Sequence, residues 1–340
     1  MKAIVLAGGE GTRLKAVTGA LPKPMVPLLG RPLLEHILRL LKKHGFTRVC
    51  AALKYRPEDI RSVLGDGSSL GLRLEYRVEE GELGTAGAVK NCADFIGDED
   101  VLVISGDAAC DLDLSALWRR HRERGPAASL ALRRDAAPLR YGLAVTDAEG
   151  AIRAFVEKPR WPQVVTDLVN TGIYVLSPRA LDAIPAGRRF DFGKDLFPLL
   201  IRRKELLLGV PLEGYWCDVG TPLSYYQCCA DALTGKLNIE PGEGFRPAEE
   251  PEEEDGAPEG FLLELPCRDR AGLMGRLSQW MLELPADYSD GIRLRQAGYA
   301  LQICPESRKS ALRIAVQAAD AEFARRLAFS ARDLAKALDD

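Results

Sequence analysis

The sequence predicts an α/β fold with a mostly parallel central sheet, followed by a small α+β domain. Short apolar runs such as 3–6 and 101–104 are typical of strands buried on both faces, and they alternate with segments of helical periodicity. A stretch rich in Pro, Gly and Glu around residue 250 then predicts a break between two domains. The expected bounds are residues 1–236 for the large domain, 237–260 for an acidic linker and 261–340 for the small domain.

Composition narrows the class of protein. The chain has 340 residues, of which 46% are hydrophobic and 28% charged, as in ordinary globular proteins. No apolar run approaches the roughly 20 residues that span a bilayer, so we expect a cytoplasmic protein without a membrane partner. The net charge is −3, and six acidic residues within 249–255 leave about +3 for the rest, which argues against nucleic-acid binding. The eight cysteines show no Cys-x-x-Cys spacing and predict buried, reduced thiols.

The opening segment predicts a phosphate site. The apolar run Ala3 to Leu6 ends in Gly8 to Gly11, where missing side chains let the backbone approach a ligand closely. Thr12, Arg13 and Lys23 add donors and positive charge beside that loop. A glycine cluster alone also fits a plain tight turn. This one is neither the dinucleotide fingerprint Gly-x-Gly-x-x-Gly nor a loop ending in Gly-Lys-Ser/Thr.

The next elements follow from periodicity. Two helices and three strands are expected, in the order helix Pro32–Lys43, strand Arg48–Leu53, helix Pro57–Leu64, strand Leu72–Arg77 and strand Val101–Ile104. His36 and His44 fall in the helical pattern and are interpreted as surface or packing residues. Ligands of parallel sheets bind beyond the carboxyl ends of the strands, so the loops after these strands are where further chemistry is expected.

Two segments of the opening resemble the signature of the sugar nucleotidyltransferases. Gly8 to Leu14 reads GGEGTRL and Pro22 to Met25 reads PKPM, as in the family pattern Gly-Gly-x-Gly-Thr-Arg-Leu followed by Pro-Lys-Pro-Met. Ala16 departs from the family, which usually has a proline there that shapes the loop. The resemblance covers residues 1–235 and implies a Rossmann-like domain that joins a nucleoside triphosphate to a sugar 1-phosphate and releases pyrophosphate.

The resemblance implies a nucleotide site at the glycine loop and at Leu83 to Gly87, which matches the family loop against the nucleobase. Many uridylyl- and thymidylyltransferases have a glutamine at the position of Glu79. A carboxylate only accepts hydrogen bonds, so Glu79 favours the N1–H and N2–H of guanine over uracil, and GTP is the expected donor. The alternative is that Glu79 and Glu80 face solvent and backbone alone reads the base. The implied nucleotide-binding residues are Leu6, Ala7, Gly8, Gly9, Gly11, Thr12, Arg13, Glu79, Gly84 and Thr85.

A magnesium site is implied by two aspartates. Asp107 follows the buried strand at 101–104, and Asp218 lies in a segment similar to the family's Gly-x-Trp-x-Asp-Ile-Gly-Thr-Pro. Each alone is more often a turn or N-cap residue, but together they resemble the pair that holds Mg²⁺ in this family. Arg13, Lys23 and Asp107 are then the implied catalytic residues. No general base is expected, because the second pKa of a phosphate monoester is about 6.

Sugar-phosphate contacts are implied between the two aspartates. Gly142 belongs to a Tyr-Gly loop, Glu157 and Lys158 to an E-K-P element, and Asn170 to an Asn-x-Gly-x-Tyr element of the family. In this resemblance Glu157 and Asn170 contact sugar hydroxyls and Lys158 the sugar phosphate. Phe190 to Asp195 resembles a further family element that we expect to be more structural than contacting.

The C-terminal region resembles the last domain of the phosphohexomutases through Asp290 to Ile292 and Leu312 to Ile314. The expected elements are a strand at 261–265, a helix at 270–284, a hairpin over 290–303, a strand at 311–316 and a helix at 320–338. The mutase phosphate loop keeps only Pro305 in place, so no mutase activity is expected. Two interpretations stay open: a packing module of a homo-oligomer, or a phosphosugar sensor with Arg308, Lys309 and Arg313 as anion contacts.

The function that the resemblance favours is that of a mannose-1-phosphate guanylyltransferase. A uridylyl- or thymidylyltransferase acting on glucose 1-phosphate and a guanylyltransferase acting on a heptose phosphate are alternatives within the same chemistry. A regulatory subunit that binds nucleotide sugars without catalysis is a different class. The presence of Arg13, Lys23, Asp107 and Asp218 argues against it.

Overall fold

The computed structural model describes most of the first 243 residues and parts of the rest. The described residues are 1–14, 21–135, 138–243, 245, 260–267, 273–274, 276–277, 286–287, 292–296, 299–305, 311–318, 325, 328–329, 331–332 and 335. Contacts divide the chain into two compact units. The first comprises Met1–Val219 with Asp231–Glu243, and the second Gly220–Ala230 with Gly244–Asp340.

Strands and helices alternate through the first part of the chain, as its periodicity predicts. Their bounds are β1 (Lys2–Leu6), β2 (Pro27–Leu28), β3 (Arg31–Pro32), α1 (Leu33–Lys43), β4 (Arg48–Leu53), α2 (Pro57–Leu64), β5 (Arg73–Val78), α3 (Gly84–Lys90), α4 (Ala93–Ile96), β6 (Val101–Ser105), β7 (Ala108–Cys110) and α5 (Leu114–Arg124). The predicted bounds of β4 and α2 are those observed, and the other predicted elements differ by one or two residues.

Antiparallel strands dominate the second part. The bounds are β8 (Ala128–Arg134), β9 (Gly142–Thr146), β10 (Ile152–Glu157), β11 (Leu168–Leu176), α6 (Pro178–Asp182), α7 (Phe197–Arg202), β12 (Leu207–Pro211), β13 (Trp216–Asp218) and α8 (Pro222–Leu233). A single π-helical turn, Phe192–Leu196, leads directly into α7.

One mixed sheet organises the first unit. The order is β12-β8-β11-β6-β1-β4-β5, and β9 and β10 extend the sheet beside β11. The four strands β6, β1, β4 and β5 run parallel, whereas β11 is antiparallel to β6. The prediction of an α/β fold around a mostly parallel sheet is confirmed. Because β6, β1 and β4 are parallel neighbours, their carboxyl ends meet at one edge of the sheet.

The centre of the sheet is buried on both faces, because residues 3–5 of β1 and residues 101–104 of β6 are all apolar and fully buried. Val5 and Ile104 pack with α1, whereas Ile4 and Val103 pack in the core on the opposite face, which includes Phe197. His36 on α1 is buried and lies 2.8 Å from the carbonyl oxygen of Leu28, which confirms it as a packing residue. The buried cysteines are Cys50, Cys92, Cys110, Cys228 and Cys267.

The predicted linker begins with residues that pack on the first unit. Leu237 is buried, the amide of Gly242 donates to the carbonyl of Leu29 (2.8 Å), and Arg31 donates to the carbonyl of Glu240 (3.0 Å). Residues up to Glu243 therefore belong to the first unit by their contacts.

The second unit contains a five-stranded antiparallel sheet. The order β14-β18-β17-β16-β15 is formed by β14 (Gly260–Pro266), β15 (Ala286–Asp287), β16 (Ile292–Gln296), β17 (Tyr299–Pro305) and β18 (Ala311–Ala318). The predicted hairpin is confirmed, with Leu294 opposite Leu301. Leu273 and Leu277, which are helical, pack with Ile303 and Ile314 of the sheet.

Several predictions for this unit lie outside the described residues. They concern Asp290, Gly291 and the loop with Arg308 and Lys309, so the resemblance to phosphohexomutases stays a prediction, as does the homo-oligomer. Within the described part of the chain, no helix combines the length and hydrophobicity required to cross a membrane.

We expect Phe197→Ala to destabilise the first unit by about 3–5 kcal/mol, because Phe197 is fully buried and packs edge-on against Phe155 and Tyr174. Urea unfolding of the full chain, followed by circular dichroism, measures the loss. Val165→Ala is the control, since Val165 is 70% exposed. Equal midpoints for the two variants would contradict the packing described for Phe197.

Candidate active site

A two-stranded ladder brings the two predicted metal ligands together. Asp107 follows β6 and precedes β7, and β7 pairs antiparallel with β13 so that Ala108 lies opposite Asp218. The ladder continues past the strand end, where the amide of Val219 donates to the carbonyl oxygen of Asp107 (3.1 Å). Asp107 and Asp218 are therefore held side by side, although they are far apart in the sequence.

The ammonium of Lys23 joins the two carboxylates. Its Nζ lies 2.6 Å from Oδ2 of Asp107 and 3.4 Å from Oδ1 of Asp218. The lysine side chain is 8% exposed, whereas the aspartates are 35% and 32% exposed. Lys23 is thus the buried partner, and both carboxylates keep a solvent-facing side.

Asp107 is held in its ionised form. Burial alone raises the pKa of its carboxyl group, but the charge of Lys23 and hydrogen bonds from Lys23 and Ser105 outweigh burial and bring that pKa below its usual value. The Ser105 hydroxyl donates to Oδ1 at 2.5 Å, leaving Oδ2 to the lysine. The carboxylate is therefore oriented as well as charged at neutral pH.

The glycine loop positions Lys23. Lys23 is the first residue of a short 3₁₀ turn, Lys23–Met25, and it lies between Pro22 and Pro24. Gly11 has a φ of +68°, and a Cβ on Gly11 would lie 2.7 Å from the Cβ of Lys23. Only glycine allows the loop to pack this closely on the lysine. The side chain of Arg13, the other predicted catalytic cation, lies outside the described part of the structure.

A first cavity of about 330 Å³ opens at the carboxyl ends of the parallel strands. The predicted nucleotide-binding residues in its lining are Leu6, Gly8, Gly9, Glu79, Gly84 and Thr85. Of the described residues in that prediction, Ala7, Gly11 and Thr12 do not line it, since Ala7 is buried in the sheet and Gly11 faces Lys23. Sequence reasoning missed Lys54, Glu82, Ser105, Arg189 and Asp191 in the lining.

Glu79 faces this cavity, whereas Glu80 is exposed. The amide of Glu79 donates to the carbonyl of Leu53 (2.8 Å), which continues the pairing of β4 with β5. Burial raises the pKa of the Glu79 carboxyl group, and the amide of Leu83 and the charge of Lys54 oppose that rise only in part. Glu79 thus presents a half-buried carboxyl group to the first cavity.

The segment around Asp191 holds the start of α3 against the cavity. The carbonyl of Phe190 accepts hydrogen bonds from the amides of Ala86 and Gly87, both at 2.9 Å, and Oδ1 of Asp191 accepts one from the amide of Thr85 at 3.2 Å. The interpretation of this segment as structural fits these contacts, but Asp191 also lines the cavity.

A second cavity of about 220 Å³ shares Ser105 and Asp107 with the first. The predicted residues in its lining are Gly142, Glu157, Asn170 and Asp218. The side-chain amide of Asn170 donates to the hydroxyl of Tyr174 (2.8 Å), and its oxygen accepts from the amide of Gly172 (3.1 Å), so its orientation is fixed.

Glu157 lies close to two glycines, because a Cβ on Gly142 or on Gly193 would come within 2.7 Å of its Oε2. Burial raises the pKa of the Glu157 carboxyl group, and the charges of Lys158 and Lys194 lower it without prevailing.

Lys158 departs from its predicted place in one respect. Its side chain is exposed and its φ is +47°. Lys158 is not among the described residues that line either cavity. Its amide donates to the carbonyl of Tyr141 (3.2 Å), so it adjoins the second cavity. The cation in that lining is Arg140, which sequence reasoning missed although it directly precedes the Tyr-Gly loop.

Comparison with known proteins identifies the family and several curated relatives. The chain matches the family described as Nucleotidyl transferase over residues 2–235. It is similar to the UTP--glucose-1-phosphate uridylyltransferase of Synechocystis sp., with 36% identity over 262 residues, or 73% of this chain and 68% of that protein. It is also similar to the mannose-1-phosphate guanylyltransferase of Mycobacterium tuberculosis, with 37% identity over 234 residues, or 68% of this chain and 65% of that protein.

Solved structures agree with these matches. The crystal structure of HddC from Yersinia pseudotuberculosis complexed with GMP-PN superimposes with a TM-score of 0.58 at 29% identity, covering 68% of this chain and 99% of that one. The curated relatives are matched over about two thirds of their own length, 68% and 65% for the two named above. Since the family match covers almost all of the first unit, the chain belongs to the Nucleotidyl transferase family.

Proposed function

We propose that this protein transfers the GMP moiety of GTP to mannose 1-phosphate, releasing pyrophosphate. The observation that carries the proposal is that two cavities meet at Asp107, one beside the glycine loop and one beside Glu157 and Asn170. A transferase needs this arrangement, because its two substrates must approach one reacting centre from separate sites.

Glu79 supports GTP as the nucleotide. Its carboxylate only accepts hydrogen bonds, and guanine offers two adjacent N–H donors, whereas uracil offers one N–H between two carbonyl oxygens. The relatives named as mannose-1-phosphate guanylyltransferases and the HddC structure with GMP-PN are consistent with this choice. The uridylyltransferase relative keeps UTP and glucose 1-phosphate as the second candidate pair.

The chain's own residues act by charge and position. The attacking phosphate oxygen of the sugar phosphate is mostly unprotonated at neutral pH, because its pKa is about 6, and it needs no general base. Lys23 holds Asp107 and Asp218 at the junction of the cavities and places positive charge there. The shared junction then brings two polyanionic substrates together in one orientation.

The two aspartates fit a magnesium ion. Their carboxylates direct oxygens at a common cation, the Lys23 ammonium, and both keep an exposed side toward the cavities. Mg²⁺ is commonly bound by one or two carboxylates, with phosphate and water completing its shell. We propose Asp107 and Asp218 as its ligands. When bound, the ion supplies charge that neutralises the phosphates.

Arg140 and Lys158 are the proposed contacts of the sugar phosphate. Arg140 lines the second cavity, and Lys158 lies near enough to Glu157 to lower the pKa of its carboxyl group. Glu157 and Asn170 line the same cavity and are the proposed contacts of the sugar hydroxyls. The carboxylate of Glu157 accepts hydrogen bonds from hydroxyls, and the amide of Asn170 can accept or donate them.

The non-catalytic alternative, a regulatory subunit that binds nucleotide sugars, explains less. Binding alone does not require a buried lysine to hold two carboxylates together at the junction of two cavities.

We expect Asp107→Asn to lower turnover at least ~100-fold, the scale seen when one electrostatic stabiliser is removed from an active site. Pyrophosphate release under saturating substrates measures the loss. The matched control is Asp98→Asn, an exposed aspartate outside both cavities. A folded Asp107→Asn variant that turns over at the normal rate would remove Asp107 from the mechanism.

A grid of GTP, UTP, dTTP and ATP against mannose 1-phosphate and glucose 1-phosphate tests the substrates. We expect the highest kcat/KM with GTP and mannose 1-phosphate. In Glu79→Gln the ratio of GTP to UTP activity falls at least ~10-fold, because an amide offers uracil a donor and withdraws one acceptor from guanine. An unchanged ratio would mean that Glu79 does not contact the base.

For Arg140→Gln we expect a KM for the sugar phosphate that is about tenfold higher, the effect of losing one charge-assisted hydrogen bond, with an unchanged KM for the nucleotide. Initial-rate kinetics separate the two constants. Arg120→Gln, on the exposed face of α5, is the control. A rise in the KM for the nucleotide instead would mean that Arg140 contacts the nucleotide and not the sugar phosphate.

A further inference from the structure

We propose that Lys54 is a specificity-determining residue that donates a hydrogen bond to O6 of guanine, while Glu79 accepts from N1–H and N2–H. The inference deepens the function proposed above and rests on it. It assigns a hydrogen-bond donor to O6 of guanine, an acceptor that a carboxylate cannot bind. A carboxylate beside an ammonium presents acceptor, acceptor and donor, which complements guanine in all three positions.

The strand register places the two side chains together. β4 and β5 are parallel neighbours, and Leu53 lies opposite Val78 at their carboxyl ends. Lys54 and Glu79 are the first residues after each strand, so they leave the sheet edge side by side. Both border the same glycine: a Cβ on Gly8 would lie 3.2 Å from the Cβ of Lys54 and 3.5 Å from Oε1 of Glu79.

Both side chains face the nucleotide cavity. Each is in its lining, together with Gly8 and Leu83. Burial raises the pKa of the Glu79 carboxyl group, and the charge of Lys54 opposes that rise. A ligand edge that enters between them meets an acceptor and a donor at once.

The position of Lys54 in the sheet favours the base over the phosphates. β4 is separated from β6 by β1, so Lys54 leaves the sheet two strands from the strand that delivers Asp107. Neighbouring strands are about 4.8 Å apart, so this offset amounts to about 10 Å. The phosphates react at Asp107, and the base extends along the edge toward β4 and β5.

The ion pair of Lys54 does not prevent this contact. Its Nζ lies 3.5 Å from Oε1 of Glu82, and Lys54 and Glu82 are 41% and 70% exposed. Exposed pairs contribute little to stability, so the ammonium can exchange this partner for a base oxygen at low cost. Arg189 also lies 3.2 Å from Glu82, which keeps a counter-charge on Glu82 when Lys54 turns away.

The test compares Lys54→Met with wild type on three guanine-type triphosphates. GTP and ITP both carry O6 and N1–H, and ITP lacks only the 2-amino group, whereas 6-thio-GTP replaces O6 by a poor acceptor. We expect Lys54→Met to lower kcat/KM about 10- to 100-fold for GTP and for ITP alike. With 6-thio-GTP, we expect the kcat/KM of the variant to lie within about twofold of the wild-type kcat/KM for the same substrate. Turnover of 6-thio-GTP shows that the variant is folded. Lys43→Met, an exposed lysine at the end of α1, is the control.

Two results would overturn the inference. An equal loss for GTP and 6-thio-GTP would mean that Lys54 acts on the phosphates or on folding, and no loss for GTP would mean that it does not contact the base. Failure of the proposed function is recognised separately, in the wild type alone, by a preference for UTP or dTTP over GTP. That preference would remove the guanine edge on which the role of Lys54 depends.

Discussion

The contact of the Lys23 ammonium with Asp107 and Asp218 is the interaction on which the rest of the site depends. It joins three stretches of chain: the turn at Lys23–Met25, the end of β6 and the end of β13. Lys23 is the buried member of the group, so removal of a carboxylate leaves its ammonium less compensated, and an uncompensated buried charge is costly. The three stretches are therefore held in one arrangement. Gly11 secures it, because any side chain there would meet the Cβ of Lys23.

The sheet edge explains why a cavity opens at this place. At the ends of the parallel strands the backbone is still paired, since the amide of Ala7 donates to the carbonyl of Ala52 and that of Gly106 to the carbonyl of Leu6. The chain beyond that last pairing, Gly8 and Gly9, borders the cavity without bulky side chains. The middle of the edge thus presents bare backbone to the cavity, with charged side chains on both sides.

The sequence predicted those parts of the molecule whose pattern is long or repeated. β4 and α2 follow from runs of six and eight residues with clear periodicity, and Asp107 is marked by the apolar strand before it. The pairing of β7 with β13 was not predictable, since each has three residues and three residues carry no period. Lys158 has a φ of +47° and an exposed side chain outside the lining to which the neighbouring Glu157 belongs, and no local pattern indicates that placement. The place of Lys54 follows from the register of β4 with β5, which no local pattern encodes, whereas Arg140 was marked only by its position just before the Tyr-Gly loop.

Recognition and chemistry occupy different parts of the same edge. Asp107 and Asp218 lie at the ends of β6 and β13, whereas Lys54 and Glu79 follow β4 and β5, with β1 between the two regions. In the proposed function, a change of base preference needs new side chains only after β4 and β5 and leaves Lys23, Asp107 and Asp218 undisturbed. This separation gives a physical reason why relatives named for UTP and for mannose-1-phosphate guanylyl transfer match this chain equally well, at 36% and 37% identity. Identity averaged over the domain is governed by the shared sheet, whereas in the proposed function the nucleotide is chosen by a few residues at one end of the edge.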